Sequence, residues 1–126
     1  MTNLRELYYC DICGNVVEVV HTGQTSLVCC GEPMERLVEK TADEGMEKQV
    51  PVKEAAKNGV RVKVGDVPHP MTEKHYIQFI EVMTADQVLR TELLPDQPPE
   101  AVFSVDPAEV TGVRIYCNIH GAWKAE

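Results

Sequence analysis

Two groups of residues in this chain could do chemistry. The first is four cysteines near the N-terminus. Cys10-Asp11-Ile12-Cys13 spaces two thiols by two residues, and Cys29-Cys30 supplies an adjacent second pair. Two thiolates so spaced grip one metal from a tight turn, and a second pair completes a tetrahedron. Four thiolates are soft donors that serve zinc or iron. The usual second half is another CxxC; adjacent cysteines force neighbouring side chains onto one metal and predict a distorted tetrahedron. The plainer alternative is a zinc knob that only folds the N-terminus. A disulfide pairing is the third, and nothing here suggests the secretion it would go with.

The second group is dispersed. His69 lies in Val67-Pro68-His69-Pro70-Met71, His75 in Glu73-Lys74-His75-Tyr76-Ile77, and Cys117-Asn118-Ile119-His120 forms a compact N/S chelating pair. Imidazole and thiolate together suit zinc, iron or copper. Taken singly, each histidine reads as a hydrogen-bonded surface residue, and Cys117 as a small buried apolar one. The fourth histidine, His21, reads as a surface residue.

The chain must position these groups with 126 residues, room for one ordinary domain or for a very small domain attached to a modest one. Residues 1–37 carry four of the five cysteines, two Gly-containing turns and the β-rich run Val16–Val20. So short a segment cannot bury enough surface to stand alone and needs a staple. Residues 38–48 are polar and read as a linker. Beyond it, Val60, Val62 and Val64 alternate with Arg61 and Lys63, the pattern of a half-buried strand. Tyr76–Val82, Ala101–Val105 and Val113–Tyr116 are further strand candidates between turn clusters, and short strands at this spacing predict a β-sandwich from about residue 49 onward, in a second domain of residues 38–126 that includes the linker-like stretch. Lys53–Lys57 reads as one possible helical turn between Pro51 and Gly59.

Hydrophobic residues make up 44% and charged residues 25%, the balance of a globular protein. The formal net charge of -8 repels nucleic acid and anionic membranes, so neither is an expected partner. The N-terminal residues lack a signal-peptide core, and the chain reads as cytoplasmic.

Tyr9-Cys10-Asp11-Ile12-Cys13-Gly14-Asn15, followed by Leu27-Val28-Cys29-Cys30-Gly31, resembles desulforedoxin, a rubredoxin-like iron–tetracysteine module. Glu47-Lys48, Val50-Pro51-Val52, His69-Pro70-Met71, Glu73-Lys74-His75-Tyr76-Ile77 and Tyr116-Cys117-Asn118-Ile119-His120-Gly121-Ala122-Trp123-Lys124 look like the catalytic domain of superoxide reductase. Together they resemble the two-domain desulfoferrodoxin type from end to end. The resemblance implies an all-β chain, in which a small desulforedoxin-like domain precedes an immunoglobulin-like sandwich. It implies one iron on Cys10, Cys13, Cys29 and Cys30 for electron transfer. It implies a second on equatorial His69, His75 and His120 with Cys117 axial, reducing superoxide to hydrogen peroxide at the position opposite the thiolate. Lys48 matches the family lysine that attracts superoxide, and Glu47 the glutamate that can fill the open position. A fourth equatorial histidine is expected where this chain has Gln49. A rubredoxin-like electron donor and a homodimer are implied as well. The competing class is a non-catalytic iron or zinc protein, acting as an electron carrier or a metal-stabilised module.

Overall fold

The structure is a computed structural model that describes residues 2–24, 26–41, 50–65 and 69–125. The described residues form two units, Met1–Val38 and Glu39–Glu126.

The N-terminal unit is built from short strands. β1 (Leu7–Tyr9) lies between β2 (Val16–Glu18) and β5 (Glu35–Leu37), both antiparallel to it. A separate hairpin pairs β3 (Val28–Cys29) with β4 (Glu32–Pro33). Among the described residues, its buried apolar side chains are Leu7, Cys10 and Val19. That is too little to hold such a unit by hydrophobic burial alone. A polar web adds to it. Glu6 accepts from the Asn3 amide at 2.6 Å, the Tyr8 hydroxyl at 3.1 Å and Arg36 Nε at 2.9 Å. The Asn3 N–H, with Tyr8 and Arg36, holds the Glu6 carboxyl below the usual range against the opposing effect of burial.

The C-terminal unit is a sandwich of two antiparallel sheets. In one, β7 (Gly59–Val64) is central between β6 (Pro51–Ala56) and β10 (Glu100–Phe103). The other runs in the order β12 (Gly121–Ala125), β11 (Gly112–Cys117), β8 (Ile77–Met83), β9 (Val88–Glu92). The core lies between them. Val60, Val62 and Val64 of β7 meet Ile80 and Val82 of β8 and Val113, Ile115 and Cys117 of β11, all at most 1% exposed. The valine alternation along β7 is thus an inward-facing row, as its period requires. Among the described residues, no helix is long and apolar enough to cross a membrane.

The possible helical turn at Lys53–Lys57 is not formed. Pro51–Ala56 is extended and pairs with β7 from Pro51↔Val64 to Ala56↔Gly59. Alanine, lysine and glutamate favour helix in isolation, but a strand edge offering six register partners outweighs a preference worth tenths of a kcal/mol per residue. The close approach of Gly59 to β10 leaves no space for a side chain: a Cβ there would lie 2.1 Å from the Phe103 carbonyl oxygen.

The outer face of the four-stranded sheet carries a row of charges. Arg90, Glu81, Arg114 and Lys124 are successive cross-strand neighbours. Arg114 donates to Glu81 Oε1 through Nε at 2.8 Å and Nη2 at 2.7 Å, and both residues are buried. Arg90 stands 3.7 Å from the second Glu81 oxygen, and Glu39 lies 3.7 Å from Arg114 and 3.8 Å from Lys124. A buried pair adds little net stability over apolar residues, but removing one partner strands the other. Glu81→Ala is expected to destabilise this unit by about 3–5 kcal/mol, read as the loss of unfolding free energy in a denaturant titration. Exposed Glu92→Ala is the control that leaves it nearly unchanged.

Candidate metal centres

The first cluster is made by two hairpins. The β1–β2 connection folds back on itself. Gly14 N donates to the Cys10 carbonyl, Cys10 N donates to the Asn15 carbonyl, both at 2.9 Å, and Gly14 has φ 83°. This turn brings the Cys10 and Cys13 sulfurs to one place. In the β3–β4 hairpin, Cys29 pairs with Glu32, leaving Cys30 and Gly31 as a two-residue loop with φ 53° and 76°. Two positive φ values in succession are what a two-residue hairpin of matching twist needs. They also let neighbouring cysteines point at one place, so the backbone at Cys30 absorbs the strain expected of an adjacent pair.

The four sulfurs lie within 4.8 Å of one another. Cys13 Sγ is 3.6 Å from Cys29 Sγ, and Cys29 Sγ is 4.0 Å from Cys30 Sγ. A tetrahedron with metal–sulfur bonds of about 2.3 Å has edges of about 3.8 Å, so the spacing fits a tetrathiolate. The protonation chemistry agrees. The Cys13 amide N–H lowers the Cys10 thiol to about 7, whereas Cys30 is pushed up to about 12, first by Cys13 and then by Cys10 and Cys29. Packed sulfurs resist joint ionisation, and a bound cation removes that resistance.

The second cluster sits at one end of the sandwich core. His69, His75, Cys117 and His120 bring one donor atom each within 4.8 Å of the others. Cys117 ends β11, is fully buried and belongs to the core. Burial pushes its thiol up, while the backbone N–H groups of His120 and Ile119 pull it down. The turn Asn118–His120 links Cys117 to its pair partner Gly121, whose φ of 81° closes the loop. His120 Nδ1 lies 3.9 Å from Cys117 Sγ. On the other side, the β11–β8 register shifts between Tyr116 and Cys117, a bulge that re-aims the strand end beside the site.

His69 and His75 lie on the segment preceding β8. His69 Nδ1 is 2.6 Å from the Pro70 carbonyl oxygen. A carbonyl only accepts, so Nδ1 carries the proton and the buried Nε2 presents a lone pair. Thr72 and His75 exchange backbone bonds at 2.9 and 3.2 Å, closing the turn before His75. The rings stand edge-on: His69 to His75 at 4.8 Å and 81°, His75 to His120 at 4.9 Å and 68°. Three imidazoles and a thiolate around one point form a mixed N/S donor set for a first-row transition metal.

Spacing alone did not single out Asn118 as a positioning group. It clasps the two ligand segments together. Its Oδ1 accepts from Tyr76 N at 3.0 Å, its Nδ2 donates to the Lys74 carbonyl at 3.0 Å, and its own N–H donates to the Tyr76 carbonyl at 3.3 Å. The only signal in the sequence was an amide side chain inside Cys-x-x-His, where a turn was already expected. Glu47, Lys48 and Gln49 lie outside the described residues. His21 is exposed and belongs to neither cluster.

A family model described as Desulfoferrodoxin matches residues 41–126, and one described as Desulfoferrodoxin, N-terminal domain, matches residues 2–37. A desulfoferrodoxin homolog of Methanothermobacter thermautotrophicus is 54% identical over 123 residues, 98% of this chain and 99% of the relative. A desulfoferrodoxin of Nitratidesulfovibrio vulgaris is 49% identical across 100% of this chain and 99% of its own length. The crystal structure of the superoxide reductase from Treponema pallidum superposes with a TM-score of 0.80 at 28% identity, covering 96% of this chain and 97% of that one.

Replacing Asn118 by alanine is expected to leave the sandwich folded and to weaken metal at the second cluster by about 10–100-fold. Chelator competition measures this, and the affinity of the four-cysteine cluster serves as the internal reference.

Proposed function

The chain belongs to the desulfoferrodoxin family, and from the two donor clusters we infer how it works. It is a superoxide reductase: superoxide takes one electron and two protons and leaves as hydrogen peroxide. The observation that carries this reading is the convergence of His69, His75, His120 and Cys117 on one point in a chain matched along its length by that family. It carries two mononuclear iron sites. Cys10, Cys13, Cys29 and Cys30 are proposed to hold the first, and the His/Cys group the second. Ferrous iron held by His69, His75, His120 and Cys117 would supply that electron.

The side chains divide the remaining work. Three neutral imidazoles and one thiolate provide four donors, enough to hold iron with Gln49 in place of the family's fourth histidine. Cys117 is buried in the core and would give the iron a thiolate donor, part of whose charge the amides of His120 and Ile119 offset. The chain is acidic overall, so an anionic substrate needs a local cation. Lys48 is assigned that role, and Glu47 would supply a carboxylate able to ligate the iron. The two units are proposed to work as separate modules, a desulforedoxin-like one up to residue 37 and the reductase sandwich after it.

Five free cysteines suit a reducing compartment, which supports a cytoplasmic location. Exposed Val17, Val20 and Val28 on the N-terminal unit support a homodimer in which a second copy covers them. A small one-electron carrier of the rubredoxin type fits as the donor, since the reaction consumes single electrons.

Metal analysis and rapid-mixing kinetics with superoxide test the assignment. Two irons per chain and stoichiometric peroxide release are expected; a colourless zinc protein without reductase activity would sink it. In Cys13→Ser, the tetrathiolate absorption is expected to vanish while superoxide reduction persists near the wild-type rate. Loss of catalysis with the second iron still bound would show that the sites are not independent. Lys48→Ile is expected to retain iron but slow the bimolecular step, and the wild-type rate to fall as salt rises. An unaltered rate in that variant would reassign Lys48 to a solvated surface charge.

A further inference from the structure

Lys40 is 80 residues from His120 in sequence, yet its Nζ lies 3.2 Å from the His120 carbonyl oxygen. The backbone brings it there. Lys40 forms a parallel bridge with Trp123: Lys40 N donates to the Ala122 carbonyl at 3.0 Å, and Lys124 N donates to the Lys40 carbonyl at 2.9 Å. Trp123 Nε1 donates to the same His120 oxygen at 3.1 Å. The Lys40 ammonium also stands 5.0 Å from the centroid of the Trp123 ring, within cation–π range. One carbonyl therefore receives two donors, one of them charged, and the donors hold each other.

The two donors differ in kind. Trp123 is buried and sits opposite Ile115 of β11, so packing locks it. Lys40 is exposed and acts as a point charge at the end of a flexible stem. Among the described residues, no carboxylate stands within ion-pair distance of it. The oxygen they share closes the loop that begins at Cys117. It belongs to the same residue whose ring Nδ1 lies 3.9 Å from the Cys117 sulfur.

We propose that Lys40 is a positioning residue for His120 and that its fixed positive charge holds the reduction potential of the second site up. The physical reason is Coulombic. The oxidised site carries one more positive charge than the reduced one, so a neighbouring cation disfavours oxidation. Lys40 is exposed, so salt screens the effect. The inference rests on the reading that His120 holds the second iron.

The experiment is a redox titration of the second site in the iron-loaded full chain, following its thiolate absorption, for wild type, Lys40→Met and Lys40→Arg. Methionine keeps the stem and removes both the donor and the charge; arginine keeps both. The expected result is a several-fold shift toward the oxidised form at a fixed mediator potential in Lys40→Met. Lys40→Arg should return to wild type, and the gap should narrow at high salt. An unshifted midpoint in Lys40→Met, or an equal shift in Lys40→Arg, overturns the proposal. Should Lys40→Met fail to bind iron, Lys40→Gln against Lys40→Arg decides it, because glutamine retains an N–H donor without charge. A lower midpoint for glutamine supports the proposal, and equal midpoints overturn it. Failure of the underlying reading looks different: wild type itself would then show no second redox-active iron.

Discussion

Cys117 sits in the dry interior of a β-sandwich, among valines and isoleucines that water does not reach. A thiolate there is costly. Burial drives the sulfur toward its neutral, protonated form, and two backbone amides offset only part of that. A bound cation is the remaining compensation, and it must be held by ligands that come from elsewhere. Much of the C-terminal unit follows from that need. β11 ends at the sulfur, the next three residues turn His120 back beside it, and the bulge opposite lets β8 begin close to His75. The donor cluster is thus anchored in the core through Cys117.

The N-terminal unit meets the same constraint with the opposite means. It has almost no core, so only Cys10 of its four cysteines is buried, and Cys13 and Cys30 are exposed. Here the sulfurs themselves are the packing. Their mutual repulsion when ionised is what a bound metal would relieve. The left-handed backbone at Cys30 is tolerable because the hairpin turn demands that conformation anyway.

Hydrogen bonds from outside the ligand set hold both ligand segments of the second site. Asn118 ties the turn between Cys117 and His120 to the segment carrying His75, and Lys40 with Trp123 anchors the carbonyl of His120. Contacts of this kind orient donor side chains without being donors themselves. The charge row from Arg90 to Lys124 stiffens the outer face of the same sheet.

The sequence by itself determined the ligand chemistry: which residue types are present, their short-range spacing, and the inward period of β7. The four cysteines and the Cys-x-x-His pair were legible because chelation depends on spacing along a turn, which is a local property. The all-β class was legible for the same reason, through strand alternation and turn residues. Other features were decided only in three dimensions. Lys53–Lys57 has a composition that suits helix, and its pairing with β7 settled it as strand. β9 and β12 gave little local signal, because their burial comes from neighbours in the sheet. Asn118 and Lys40 carry no motif that marks them as positioning groups. Their roles arise from contacts across 42, 44 and 80 residues of chain. Sequence spacing cannot report such contacts, because the strand register that creates them is a property of the whole sheet.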